Sequence, residues 1–238
     1  MKIAVFTDTH GNLPALQAFL KAARAEGCDM LVHLGDAVGI GPQPGECLDL
    51  LLSTPRLRFV RGNHDDWFAT GGPDPRPAFL NEGEFEHVKW TQARLSAAHR
   101  EKVAAWPWFI RADGRVQKLS FVHYALNATD DGLKAVVPDP RPGDLDGLFS
   151  REKAHLVFHG HTHLFSDVQA GARFVNPGSL GCFSRPEARW ALLESSGGQA
   201  YRLQFHAEPY DDAPLFQAMR DNKPPAWEAI RDKFFPRP

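Results

Sequence analysis

The chain has 238 residues, 43% of them hydrophobic and 24% charged, which suits a single globular domain with one sizeable core. Its formal net charge of −2 carries no basic excess, and that argues against a nucleic-acid partner, because binding a phosphate backbone needs a cationic face. Cys28, Cys47 and Cys182 are odd in number and lack close spacing, and the chain shows no signal-peptide h-region and no bilayer-length apolar run; we expect no disulfide framework, no membrane partner and a cytoplasmic protein.

Lys2–Thr7 (KIAVFT) reads as a buried strand. Leu13, Leu16, Phe19, Leu20 and Ala23 recur at helical spacing, which predicts a helix over Leu13–Glu26 stopped at Gly27. Met30–Leu34 is a second strand, Glu46–Leu52 a second helix and Leu57–Val60 a third strand. Strand, helix, strand, helix, strand implies parallel βαβ units. Glu82–Ala105 predicts one or two helices, with Ser96 as an N-cap between them. Trp108–Arg111 and Arg115–His123 suggest a hairpin turned at Ala112–Gly114. Asp130–Ser150 is loop-rich, with at most a short helix. Short strands follow over Leu156–His159, Ser166–Gln169, Arg173–Val175, Trp190–Glu194 and Gln199–Phe205, with turns at Ala170-Gly171 and Ser196-Gly197-Gly198. The second half is thus hairpin-like where the first is βαβ. A tail from about residue 209 adds one helix or two over Pro214–Phe235, interrupted at Pro224-Pro225. No repeat or linker divides the chain, so residues 1–238 read as one domain.

Five polar clusters each follow a predicted strand: Asp8-Thr9-His10, Gly35-Asp36, Gly62-Asn63-His64-Asp65, His123 and Gly160-His161-Thr162-His163. In open α/β sheets, that edge is where ligands bind. Taken singly, most of these clusters are as readily loop turns or hydrogen-bonded core histidines. Taken together, they hold or adjoin six of the eleven histidines. The donor set is imidazole with carboxylate and amide oxygen, without thiolate, which suits Mn²⁺, Fe²⁺, Zn²⁺, Co²⁺ or Ni²⁺ and argues against a cysteine-type structural zinc site. Seven candidate ligands, Asp8, His10, Asp36, Asn63, His123, His161 and His163, are too many for one tetrahedral ion and suit two ions sharing a bridge.

The motif order Asp-x-His, Gly-Asp, Gly-Asn-His-Asp, His, Gly-His-x-His resembles that of the calcineurin-like metallophosphoesterases, over Lys2 to about Leu193. The segments Asp8–Pro14, Gly35–Pro42 and Val175–Gly181 look like the compact bacterial branch of phosphodiesterases and phosphatases, which lacks a large capping domain. The resemblance implies an α/β fold: a two-sheet mixed β-sandwich flanked by helices, in four layers α-β-β-α. It implies Asp8, His10 and His163 around a first metal, Asn63, His123 and His161 around a second, and Asp36 between them. It also implies His64 as the catalytic group facing the substrate, with Asp65 orienting it. The expected cofactors are two divalent ions, Mn²⁺ first among them. The expected reaction is hydrolysis of a small phosphodiester or phosphomonoester by a hydroxide held between the metals.

Other readings of the same motifs are a Ser/Thr-type protein phosphatase, a dinucleoside polyphosphate hydrolase, or a non-catalytic metal-binding scaffold. Arg61–Asp65 is close to the protein-phosphatase motif, but Asp36–Gly39 lacks that family's continuation. Scaffold relatives lose the active-site histidine, whereas His64 is present here. Among the neighbours, Asn12 and His159 are candidates to orient ligands, and Arg61 could meet phosphate or form a structural salt bridge. Trp67 and Phe68 either wall the substrate's organic group or pack in a helix. His33 reads as a core residue, and His87 and His99 as surface groups.

Overall fold

A computed structural model describes residues 1–113, 117–137, 140–195 and 201–236. Along the chain the elements are β1 (Lys2–Phe6), α1 (Leu13–Ala25), β2 (Met30–His33), α2 (Pro44–Ser53), β3 (Leu57–Phe59), α3 (Asn63–Thr70), α4 (Glu82–Ala93), α5 (Ala97–Ala104), β4 (Phe109–Asp113) and β5 (Lys118–Val122). They continue with α6 (Pro142–Leu148), β6 (Leu156–Phe158), β7 (Phe165–Gln169), β8 (Arg173–Pro177), β9 (Glu187–Ser195), β10 (Tyr201–Pro209), α7 (Ala213–Asn222) and α8 (Trp227–Phe234).

Two five-stranded mixed sheets result, in the orders β10-β9-β1-β2-β3 and β4-β5-β6-β8-β7. In the first, β1, β2 and β3 run parallel, and β9 returns antiparallel to β1. In the second, β5, β6 and β8 run parallel. The second half is therefore less hairpin-like than its sequence suggests. Its hairpins β4–β5, β7–β8 and β9–β10 are present, but a crossover containing α6 sets β6 parallel to β5. The turns expected at Ala112–Gly114 and Ser196-Gly197-Gly198 fall wholly or partly outside the described residues.

Strand alternation builds the layers. Ile3 and Val5 of β1, Ala191 and Leu193 of β9, Phe121 of β5, and Leu156 and Phe158 of β6 fill the space between the sheets. Ala4, Phe6, Trp190 and Leu192 point the other way, under Leu16 and Phe19 of α1 and Leu48 and Leu51 of α2. Val122, Val157 and Phe174 cover the opposite outer face with Leu145 and Phe149 at α6. These layers are the four-layer sandwich that the motif resemblance implies.

Local signals explain the helix ends. Asn12 Oδ1 accepts from the Ala15 N–H and caps α1, and Gly27 sits at φ +68 just beyond its end. Ser96 separates α4 from α5 and accepts from the His99 N–H, as its position predicts. The tail forms α7 and α8, broken at Pro224-Pro225. Leu215, Met219, Ile230 and Phe235 pack onto Ile40 and Cys182, and Asn222 donates to the Pro42 carbonyl. Among the described residues, no helix is long and apolar enough to cross a membrane.

Candidate active site

Every expected ligand lies at or just beyond the C-terminal end of a parallel strand: Asp8 and His10 after β1, Asp36 after β2, Asn63 after β3, His123 after β5, and His161 and His163 after β6. The two sheets bring these ends to a single rim. Asp8, His10, Asp36, His161 and His163 all have positive φ, between 47° and 69°. That backbone region costs a non-glycine residue about 1–3 kcal/mol and clusters at functional sites. The loops that accept this strain turn each side chain inward.

The side chains form two groups. In the first, His10 Nε2 is 3.0 Å from His163 Nε2 and 3.7 Å from Asp8 Oδ1, and His163 Nε2 is 3.4 Å from Asp8 Oδ1. In the second, His123 Nε2 is 3.2 Å from Asn63 Oδ1 and 3.1 Å from His161 Nδ1. Asp36 Oδ2 lies between the groups, 3.7 Å from His10 Nε2 and 3.3 Å from His123 Nε2. Donors bound at ~2.1 Å to one tetrahedral ion stand ~3.4 Å apart, so both groups have the spacing of ligands around a shared cation.

Backbone partners select which atoms face inward. His10 Nδ1–H donates to the Val38 carbonyl and His123 Nδ1–H to the Leu34 carbonyl, which turns both Nε2 atoms inward. Asp36 Oδ1 accepts from the His64 N–H, leaving Oδ2 to face both groups. Asp8 Oδ2 accepts from the His161 N–H, while Asp8 Oδ1 is buried without a partner. A buried carboxylate oxygen left orphaned against two imidazole nitrogens is poorly satisfied by protein alone and fits a cation. Gly62 admits this arrangement, because a Cβ there would collide with Asp36 Oδ1.

The electrostatics agree with that donor set. Burial opposes charge on Asp8 and Asp36, but His163 beside Asp8 and His123 beside Asp36 hold both carboxyls below the usual range. Burial lowers His10, and lowers His161 to about 4, so both are neutral with lone pairs available near pH 7. Burial also works against His123, yet Asp36 raises it to about 9, so near pH 7 this imidazole is protonated and binds a cation only by releasing its Nε2 proton.

His64 stands at the mouth, half-buried, its ring 5.0 Å from that of His10 and 4.7 Å from that of Trp67. Asp65 does not orient that ring, contrary to expectation. Its buried carboxylate accepts from the backbone N–H groups of Asp36 at 2.7 Å, Ala37 at 3.0 Å and Gly62 at 3.0 Å. The cause is α3, which begins at Asn63, inside the motif. The first helical turn directs Asp65 back onto the loop that carries Asp36, while His64 places a ring nitrogen within 4.8 Å of donor atoms of His10 and Asp36.

The neighbouring expectations divide. Phe68 lies in the core, so the aromatic-wall reading fails for it. Trp67, on the same helix, touches His64 and stacks at 6.4 Å on the exposed Phe79. Arg61 pairs with Asp66 at 3.1 Å and donates to the Ala104 carbonyl, a structural role. Beyond capping α1, Asn12 donates to the Gly181 carbonyl and the Tyr210 hydroxyl. His159 is buried against Phe149, with neither ring nitrogen partnered. His33 is satisfied in the core by Thr9 and the Gly35 N–H. His99 bonds Asp49, but His87 is buried, donating to the Pro225 carbonyl, and is not a surface group.

Three features of the site escaped sequence reasoning. Cys182 lies beside the first group, its Sγ and one ring nitrogen each of His10 and His163 within 4.8 Å of one another. Arg189 donates to the His163 carbonyl at 2.9 Å. Phe234 of α8 meets the His163 ring at 5.8 Å. The asparagine and serine of Val175–Gly181 were the only nearby signal, and the loop they form accounts for much of this. The Leu180 N–H donates to the Thr7 carbonyl, while the Gly181 N–H and Ser179 Oγ donate to the Asp8 carbonyl.

A two-sheet sandwich carrying inward-facing histidines, aspartates and an asparagine at one rim defines a metallophosphoesterase-type protein. The chain belongs to the calcineurin-like phosphoesterase superfamily, whose domain profile matches residues 1–197. Members of this family are phosphoesterases that generally use divalent metal ions. The chain is similar to an uncharacterized protein of Methanocaldococcus jannaschii, at 25% identity over 94% of each chain. Among solved structures, it is similar to a hypothetical protein of Pyrococcus horikoshii OT3, with a TM-score of 0.80 and 21% identity over 99% of this chain and 98% of that one. It is also similar to a metallophosphoesterase from Sphaerobacter thermophilus, with a TM-score of 0.70 and 25% identity over 97% and 96%.

Proposed function

We propose that this chain hydrolyses small phosphoesters at two divalent cations held by the seven predicted ligands. Asp8, His10 and His163 would hold the first cation and Asn63, His123 and His161 the second, with Asp36 shared. The observation that carries this reading is the single oxygen Asp36 Oδ2, which faces His10 Nε2 on one side and His123 Nε2 on the other. When bound, the cations supply Lewis-acid polarisation of a phosphoryl oxygen and a lowered pKa for attacking water.

The remaining work falls to the chain. Asp65 fixes the Asp36 loop through the N–H groups of Asp36 and Ala37 and accepts a third from Gly62. His64 faces the leaving oxygen and acts as its proton or hydrogen-bond donor. Burial lowers the His64 pKa, which makes it a stronger acid whenever it is protonated and a neutral N–H donor otherwise. Trp67 flanks the departing group.

The test is hydrolysis of bis-p-nitrophenyl phosphate and p-nitrophenyl phosphate with added Mn²⁺, with metal stoichiometry measured in parallel. The wild-type chain turns over one or both substrates. His64→Ala keeps its metal while turnover falls by about 10²–10⁴-fold. Two bound ions without turnover of either ester would support the scaffold reading, and retained turnover in His64→Ala would remove that residue from the chemistry.

A further inference from the structure

We propose that the Cys182 thiolate is a ligand of the first cation, alongside His10 and His163, so that one half of the site is sulfur-bearing and the other is nitrogen and oxygen only. The inference rests on the two-cation reading above. Cys182 Sγ, His10 and His163 place one donor atom each within 4.8 Å of one another, with all three side chains converging from different loops. Counting the shared Asp36, Cys182 brings the first position to five donors; a sulfur bond of ~2.3 Å and a nitrogen bond of ~2.1 Å at about 90–120° hold S and N ~3.1–3.8 Å apart, so small side-chain rotations complete the set.

A second, independent observation marks the same spot. Asp8 Oδ1 is buried, unpartnered, and lies 3.7 Å from His10 Nε2 and 3.4 Å from His163 Nε2. Cys182 is also tied to Asp8 through the backbone: its N–H donates to Ser179 Oγ at 2.8 Å, and Ser179 Oγ donates to the Asp8 carbonyl at 2.8 Å. The loop that positions one ligand therefore positions the thiol. Cys182 is 3% exposed, closed in by Ile40, Leu215 and Met219, which shield sulfur from solvent and oxidant. Cys28 and Cys47 lie apart, in the core under the first sheet.

Coordination breaks the S–H bond, forms the S–metal bond and releases the proton to solvent. A thiolate favours softer ions such as Zn²⁺ over Mn²⁺. The first position then prefers Zn²⁺, Fe²⁺ or Co²⁺, while the second remains open to Mn²⁺, and the two positions load with different metals from a mixture.

The experiment is electronic absorption of the full chain titrated with Co²⁺. The expected spectrum carries visible d–d bands and a near-ultraviolet sulfur-to-cobalt charge-transfer band. The latter is lost in Cys182→Ser and kept in the Cys28→Ala/Cys47→Ala double variant. Should Cys182→Ser fail to fold, zinc K-edge X-ray absorption of the wild-type chain gives the same answer, with one sulfur scatterer for two zinc ions. Two bound ions with d–d bands but no sulfur signal would overturn the thiolate ligand and leave the nitrogen–oxygen site standing. Failure to bind cobalt or zinc at all would overturn the two-cation reading itself, and this proposal with it.

Discussion

Replacing Asp65 with asparagine separates its two conceivable roles. Its carboxylate accepts three backbone N–H groups, two on Oδ2 from Asp36 and Gly62 and one on Oδ1 from Ala37. An asparagine has one acceptor oxygen. If that oxygen keeps Asp36 and Gly62, the side-chain NH₂ confronts the Ala37 N–H, donor against donor. The loss is one charge-assisted bond of about 1.5–3 kcal/mol plus a buried unsatisfied N–H of about 1–3 kcal/mol. Removing charge from a carboxyl that burial and the Asp36 carboxylate have pushed up to about 7 returns part of this. The expected net destabilisation of Asp65→Asn is about 2–4 kcal/mol by urea unfolding of the metal-free chain. Metal affinity should fall about 10–100-fold as the Asp36 loop loses its support. A variant with native unfolding midpoint and native metal affinity, but reduced turnover, would refute this account and restore the role of orienting His64.

Gly39 sits at φ +85 where a Cβ would collide with His64 Nδ1, so Gly39→Ala should displace the ring. Turnover should drop toward the His64→Ala level with metal content retained and a stability cost of about 1–2 kcal/mol; normal kinetics would show that the ring position is unimportant. Burial depresses His87 from 6.5 to about 4 with Nε2 unpartnered, so the unfolded chain binds the extra proton first as pH falls. The associated stability is present above pH 6.5 and is lost between there and pH 4, about 2 kcal/mol of it by pH 5. His87→Phe should lose that much less between pH 7 and pH 5 in urea titrations, and parallel curves for the two chains would contradict the assignment.

What the sequence made legible was local. The β1 run Lys2–Phe6, the periodic face of α1 and the Ser96 cap each express physics contained within a few residues. The gathering of the seven candidate ligands at one rim was legible because each motif closes a strand end, and parallel strands bring such ends together. What stayed hidden depends on distant chain or on unsignalled turns. Nothing in Gly62-Asn63 advertises a helix start, since Gly62 offers no side-chain cap, and this hid the inward turn of Asp65. His87 looked solvent-facing because the carbonyl of Pro225 that covers it comes from the tail. Cys182 carried no spacing signal, because its neighbours His10 and His163 arrive from other loops.

The ligands also show how the backbone, rather than side-chain packing, organises the rim. Each aspartate spends one oxygen on a backbone N–H, Asp8 on His161 and Asp36 on His64, and turns the other inward. Asp8, His10, Asp36 and His123 are each thereby aimed by the backbone beyond a strand other than their own, and for Asp8 and His161 that pairing crosses from one sheet to the other. The relative placement of the two sheets is then read directly by the spacing of the two ligand groups. A substitution that shifts the sheets, far from any candidate ligand, should disturb the position of Asp36 before it unfolds the chain, because Asp36 Oδ2 faces both groups. Filling the space between the sheets is therefore part of building the site: Val5, Val32, Phe121 and Phe158 set the distance between the two side-chain groups that Asp36 faces.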